Sequence, residues 1–157
     1  MALLALLGLL DSLYLSLERL TGGALVCPTG GGCEAVQSSA YALLAGIPVA
    51  YLGVAGYGLL LGLALIALQR ERVATIALAP LLLGLASLGL AFSAYLVYLQ
   101  LGVIGAICFW CMVSATLELV LWLAALINWR RTVQAHRAPQ RSRQAAPGRA
   151  QKPPRRV

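Results

Sequence analysis

From Ile47 to Ile127 the chain is nearly continuous apolar sequence, broken by the polar turn Gln69-Arg70-Glu71-Arg72 and the short link from Gln100 to Val103. A run of about 20 apolar residues matches the thickness of a bilayer's hydrocarbon core. In lipid the backbone has no water to bond, so such a run must satisfy its own hydrogen bonds as a helix. Residues 47–68, 73–99 and 104–127 therefore read as spans, and residues 2–20 (ALLALLGLLDSLYLSLERL) as a span before them. A cleavable signal would also be apolar, but no basic segment precedes this one, and Asp11, Ser12 and Tyr14 interrupt it. It is expected to stay in the membrane. With 61% hydrophobic and 11% charged residues, a soluble globular fold is excluded. The expected class is an all-α integral membrane protein, a four-transmembrane-helix bundle in one domain over residues 1–131.

Details within the spans refine this picture. Pro48 falls in a first helical turn, where its missing N–H does no harm, and Pro80 predicts a kink. Gly58 and Gly62 have the spacing that lets two helices approach closely. Tyr95, Tyr98 and Trp129 mark lipid–water boundaries.

The formal charge of +7 is concentrated at one end: nine of the twelve basic residues follow Trp129. Residues 132–157, rich in Arg, Pro, Gln and Ala without apolar periodicity, are expected to be a disordered cytoplasmic tail. Such a tail suits contact with anionic lipid, and no nucleic-acid partner is expected. Arg70 and Arg72 in one turn, and Arg130 and Arg131 after the last span, put both termini and that turn in the cytoplasm. The loop 21–46 and the start of the last span then lie outside, and with them all four cysteines. That placement rests on the basic residues alone and owes nothing to the cysteines.

The outer loop opens with Cys27-Pro-Thr-Gly-Gly-Gly-Cys33, whose glycines leave it mobile. Its second half, EAVQSSAYALLAG, has apolar Ala35, Val36, Tyr41, Leu43 and Leu44 and is expected to form a short half-helix capping the bundle. At the start of the last span stands Cys108-Phe109-Trp110-Cys111. Two cysteines three apart at a helix start share a face, and the helix N-terminus favours a thiolate. Thiolate attack on a disulfide is the chemistry such a pair supports. A stapling disulfide at 27–33 and a four-cysteine zinc site are the alternatives. Zinc is disfavoured by Phe109 and Trp110 between the thiols, so no metal ligand is assigned. Asp11 and Glu118 are acids within spans, either functional proton carriers or groups hydrogen-bonded inside the bundle.

GLLDSLYL, the C-x5-C loop, the run from Cys33 through SSAY to GIPVAYLG, and CFWC together resemble bacterial homologues of vitamin K epoxide reductase over about residues 8 to 125. The resemblance implies a four-helix bundle around a quinone, ubiquinone or menaquinone, in a bacterial inner membrane. It implies that Cys108 and Cys111 are the active-site pair, with Cys111 facing the quinone. Cys27 and Cys33 would be the shuttle pair, Cys27 exchanging with an outside protein and Cys33 attacking Cys108. Ser39 matches the family's loop hydroxyl, and Ser38, Asp11 and Glu118 join Cys111 and Ser39 as expected quinone contacts. Many bacterial relatives carry a fused thioredoxin-like domain where this chain has its basic tail, so the implied partner is a separate DsbA-like protein. Ala115 stands where vertebrate relatives have a quinone-contacting Tyr. The implied activity is quinone-dependent oxidation of a partner's thiols in support of disulfide formation. A quinone or epoxide reductase in its own right, a DsbB-type oxidase and a disulfide-stapled scaffold are the other readings. The short last outer link argues against the DsbB type.

Overall fold

A computed structural model describes residues 1–23, 26–28, 30, 32–69 and 72–144, with the backbone alone described at 72–77 and 136–144. Arg70, Glu71 and the tail from residue 145 lie outside the described residues. Four long helices carry the architecture: α1 (Ala2–Thr21), α3 (Val49–Gln69), α4 (Arg72–Leu99) and α5 (Phe109–Gln144). Between α1 and α3 come a short α2 (Gly32–Gln37), a 3-10 turn at Ala40–Ala42 and a two-strand hairpin, β1 (Leu43–Leu44) with β2 (Ile47–Pro48). Helix α1 packs on α3 and α5, and α4 packs on the same two, so the four close into a ring.

Among the described residues three segments are long and apolar enough to cross a membrane: Val49–Gln69, Leu78–Ile104 and Phe109–Ala135. Helix α1, which carries Asp11, Glu18 and Arg19, is not among them. It ends at Gly22, whose left-handed φ of 67° closes the last turn. Inside it, Ser12 and Ser16 bond back to the carbonyls of Gly8 and Ser12 at 2.9 and 2.7 Å. Their hydroxyls are thereby satisfied without water.

Close helix contact is made at glycines other than the expected pair. A Cβ at Gly58 or Gly62 would meet nothing within 4 Å. At Gly8 it would strike the Tyr57 ring, and at Gly53 it would lie 3.1 Å from Ser12 Cβ, so these two seat α1 on α3. Gly89 of α4 similarly leaves room for the Glu118 carboxyl of α5. The apolar core between the helices is Ala5, Tyr57, Leu60, Leu82, Leu121 and neighbouring alanines. Leu3, Leu10 and Leu68, none of them on an internal cavity, are more than half exposed, as expected of a surface facing lipid.

Three further expectations change. The half-helix stops at Gln37, because Ser39 Oγ donates back to the Val36 carbonyl at 2.7 Å and the chain leaves the helix there. Beyond it the chain forms the hairpin, reversed at Ala45 and Gly46 with φ of 51° and 83°, so the fold is not purely α. The last helix begins at Phe109 instead of Ile104 and continues to Gln144, well into the segment expected to lack structure. Gln, Ala and Arg in that segment are all good helix formers.

The glycine contacts give a test. Gly8→Ala should lower the unfolding temperature in detergent, by an overpacking cost of about 1–3 kcal/mol. Gly58→Ala should be neutral or stabilising by up to about 1 kcal/mol, because Ala is the better helix former and the space is open.

Candidate active site

The passage from α4 into α5 positions the CFWC pair. After Leu99 the chain tightens into a π-helical turn, Gln100–Ile104, and reverses at Gly105 with φ of 69°. Gln100 is buried, and its Oε1 accepts the Cys108 backbone N–H at 2.8 Å. Its own carbonyl accepts the Ala106 N–H at 3.2 Å. Cys108 thus becomes the residue before the first turn of α5, and Met112 N–H reaches its carbonyl at 3.1 Å.

The Cys111 N–H points at Cys108 Sγ, 3.4 Å away. Sulfur here occupies the place a Ser or Asp oxygen takes at a helix N-cap. The Cys108 thiol is held below its usual value, first by the hydrogen bond from the Cys111 side chain, against the opposing effect of burial. The backbone N–H groups of Cys111 and Trp110 act in the same direction.

Cys27 and Cys33 are joined as a disulfide with Cα atoms 6.0 Å apart, whereas Cys108 and Cys111 are both thiols. Cys33 and Cys108, each wholly inaccessible to solvent, pack with Val36 in one small core that Cys27 and Cys111 adjoin. The structure brings all four expected cysteines together. Gly32 makes the approach possible, since a Cβ there would overlap the Ile107 carbonyl. Trp110 holds the loop from the other side: its Nε1–H donates to the Val26 carbonyl at 3.0 Å, and its ring lies 5.0 Å from that of Tyr14. The guanidinium of Arg19 reaches the Gln37 carbonyl and ties the end of α1 to the end of α2.

Below the pair opens a cavity of about 440 Å³, walled by Leu15, Val36, Leu52, Leu60, Phe92 and Leu96 among others. That size falls within the range of small-molecule sites. Of the four cysteines only Cys111 lines it. Ser39 and Glu118 line it as well, and so does Ala115. The expected contacts Ser38 and Asp11 do not: Ser38 is exposed on the outer side, one residue off the face that turns inward, and Asp11 is buried behind the lining. Tyr57 donates its hydroxyl to the Ser114 carbonyl at 2.9 Å and lies 3.1 Å from Ser114 Oγ.

Gln100, Gly32, Tyr57 and Ser114 were not among the expected residues. Gln100 had a signal: it is a lone amide in the apolar link YLQLGVIG. The others carry none that spacing alone reveals.

The profile of the vitamin K epoxide reductase family matches residues 1–126. The thiol-disulfide oxidoreductase LTO1 of Arabidopsis thaliana is 31% identical over 130 residues, covering 75% of this chain and 33% of that protein. The chain thus spans about a third of the length of this relative.

Two substitutions probe the site's scaffolding. Gln100→Leu leaves the Cys108 N–H without its acceptor and should lower stability by about 1–3 kcal/mol, measured by thermal unfolding. Trp110→Phe removes the bond to Val26, and the Cys27–Cys33 disulfide should then be reduced faster by dithiothreitol, followed by thiol labelling.

Proposed function

The chain belongs to the vitamin K epoxide reductase family, and on that ground we propose that it is a quinone-dependent membrane thiol–disulfide oxidoreductase that reoxidises an extracytoplasmic thioredoxin-fold partner. The observation that carries this reading is the stacking of three things in series. They are a loop disulfide, a buried sulfur against it, and a second sulfur on an apolar cavity. Helix α1 crosses as the fourth span in this reading, with the basic turns in the cytoplasm and the cysteines outside.

A partner thiolate attacks Cys27, the Cys27–Cys33 bond breaks, and the partner's second thiol releases Cys27 as the partner becomes oxidised. Cys33 thiolate then attacks Cys108 of a Cys108–Cys111 disulfide, freeing Cys111, and Cys27 resolves the mixed disulfide. The protein is then in the state seen here, with the loop oxidised and Cys108 and Cys111 as thiols. The lowered thiol of Cys108 suits it to either direction of this exchange.

The residues fit a quinone. The walls are apolar, the volume suffices for a ring with part of a tail, and one buried carboxyl oxygen of Glu118 on the lining has no hydrogen-bond partner among the described residues. When bound, a quinone supplies an acceptor for two electrons and two protons. Cys111 and the apolar walls would hold it, and Cys111 is the sulfur through which electrons leave the protein. Ser39 has its hydroxyl proton committed to Val36, so it offers the ring only a lone pair.

Purified protein given a reduced thioredoxin-fold donor should form quinol from a ubiquinone or menaquinone analogue, read by absorbance. Alanine at any of the four cysteines should abolish turnover. The single variant Cys27→Ala, in which Cys33 can still attack a Cys108–Cys111 disulfide but the resolving thiol is gone, should accumulate a Cys33–Cys108 disulfide detectable by mass. No quinol from wild-type protein with either analogue refutes the reading.

A further inference from the structure

Several of the cavity's polar groups are engaged. Ser12 donates to Gly8, Ser39 to Val36, and Tyr57 to the Ser114 carbonyl, while Gln100 Oε1 accepts from Cys108. Glu118 differs. It is 4% exposed, it lines the cavity, and its Oε1 has no partner among the described residues. Asp11, 7% exposed, likewise has neither oxygen bonded among them. A carboxyl oxygen left unbonded at such depth is unfavourable as a structural device, and an acid in a span is a candidate functional group.

These two acids are connected. Asp11 lies beside Ser114, Ser114 Oγ lies 3.1 Å from the Tyr57 hydroxyl, and that hydroxyl in turn stands beside Glu118. Asp11 also lies within electrostatic reach of both Cys108 and Cys111. On α5, Cys111, Ser114 and Glu118 are spaced three and four apart and share one face. Tyr57 from α3 is the titratable group beside Glu118, Asp11 from α1 lies within electrostatic reach of the same Tyr57, and Cys111 lines the cavity from Glu118's own helix. From α4, Gly89 packs against the Glu118 carboxyl and Phe92 and Ser93 line the same cavity; none of the three titrates.

We propose that Glu118 donates protons to the acceptor in the cavity, and that Ser114 and Tyr57 resupply it from Asp11, which collects them from the thiols. The inference rests on the quinone-oxidoreductase reading. The balance closes within the protein. As the Cys108–Cys111 bond forms, two S–H bonds break, and the electron pair passes to the quinone. The two protons travel in turn to its two oxygens, so none is drawn from outside. Each transfer requires the Tyr57 hydroxyl to rotate from the Ser114 carbonyl toward Glu118.

The test uses the full-length protein with Glu118→Gln, which keeps the shape against Gly89, and Tyr57→Phe, which keeps the ring against Gly8. In quinol formation, kcat should fall about 100-fold in Glu118→Gln, the range for loss of a general acid, with KM nearly unchanged. Tyr57→Phe should lower kcat in the same sense and flatten its pH profile. Independently of turnover, adding the quinone analogue to protein unable to react (Cys111→Ala) should shift a protonated-carboxyl band in the infrared difference spectrum. That band should vanish when Glu118→Gln is added. If wild-type protein makes no quinol, the oxidoreductase reading has failed and this inference falls with it. If wild-type protein makes quinol and both variants keep its kcat, or Glu118→Gln raises KM alone, the proton route is overturned and the reading survives. Should Glu118→Gln not fold, absence of any carboxyl band in the Cys111→Ala protein overturns it as well.

Discussion

Where α4 gives way to α5, a backbone amide has to be buried next to a sulfur, and the bond from Cys108 N–H to Gln100 Oε1 is what permits it. Without that acceptor the amide would be an unsatisfied donor in an apolar place, at a penalty of about 1–3 kcal/mol. The π-helical turn at Gln100–Ile104 brings the amide side chain under Cys108. Such turns recur at functional sites because they re-aim one side chain at the expense of regular pairing. Once Cys108 is fixed before the first turn of α5, Cys111 faces inward on the cavity and Trp110 faces the loop.

The arrangement separates two environments across a few residues. On one side the Cys27–Cys33 loop sits at the exposed end, held by Trp110 and Arg19. On the other, Cys111 borders an apolar cavity, and Cys33 and Cys108 lie between the two, sealed from solvent. In the proposed function a sulfur chain of this kind passes electrons by exchanging covalent bonds, so it needs contact but no mobile carrier. In the proposed mechanism electrons and protons then arrive in the cavity by different paths, the first through sulfur and the second through carboxyl and hydroxyl groups.

Legibility differed by the range of the interaction. The helices α1, α3 and α4 fall within two residues of the segments expected from hydropathy, because apolar length is a local property. The close glycine contacts were not readable, since Gly58 and Gly62 have the right spacing but face open space, while Gly8 and Gly53 do the packing. Spacing reports which residues share a helix face and says nothing of which face meets a neighbour. Ser38 and Ser39 likewise look alike in sequence, yet a helix end turns one outward and the other onto the cavity. The hairpin at Leu43–Pro48 was hidden because its turn rests on Ala45 in a left-handed conformation, which no sequence pattern announces.

By itself the sequence determined that this chain builds long apolar helices, that its cysteines come as two close pairs, and that its family is that of vitamin K epoxide reductase. Those properties follow from residue type at short separation: hydropathy over a helix length, and thiols within one turn or one short loop. Only the tertiary structure decided that Cys33 meets Cys108 and that Cys111 alone of the four reaches the cavity. It also decided that Glu118 has a carboxyl oxygen with no partner among the described residues on the cavity lining. Each depends on how separate helices rotate and settle against one another, and at Gly8, Gly32 and Gly53 an added carbon would overlap or press on the neighbouring element.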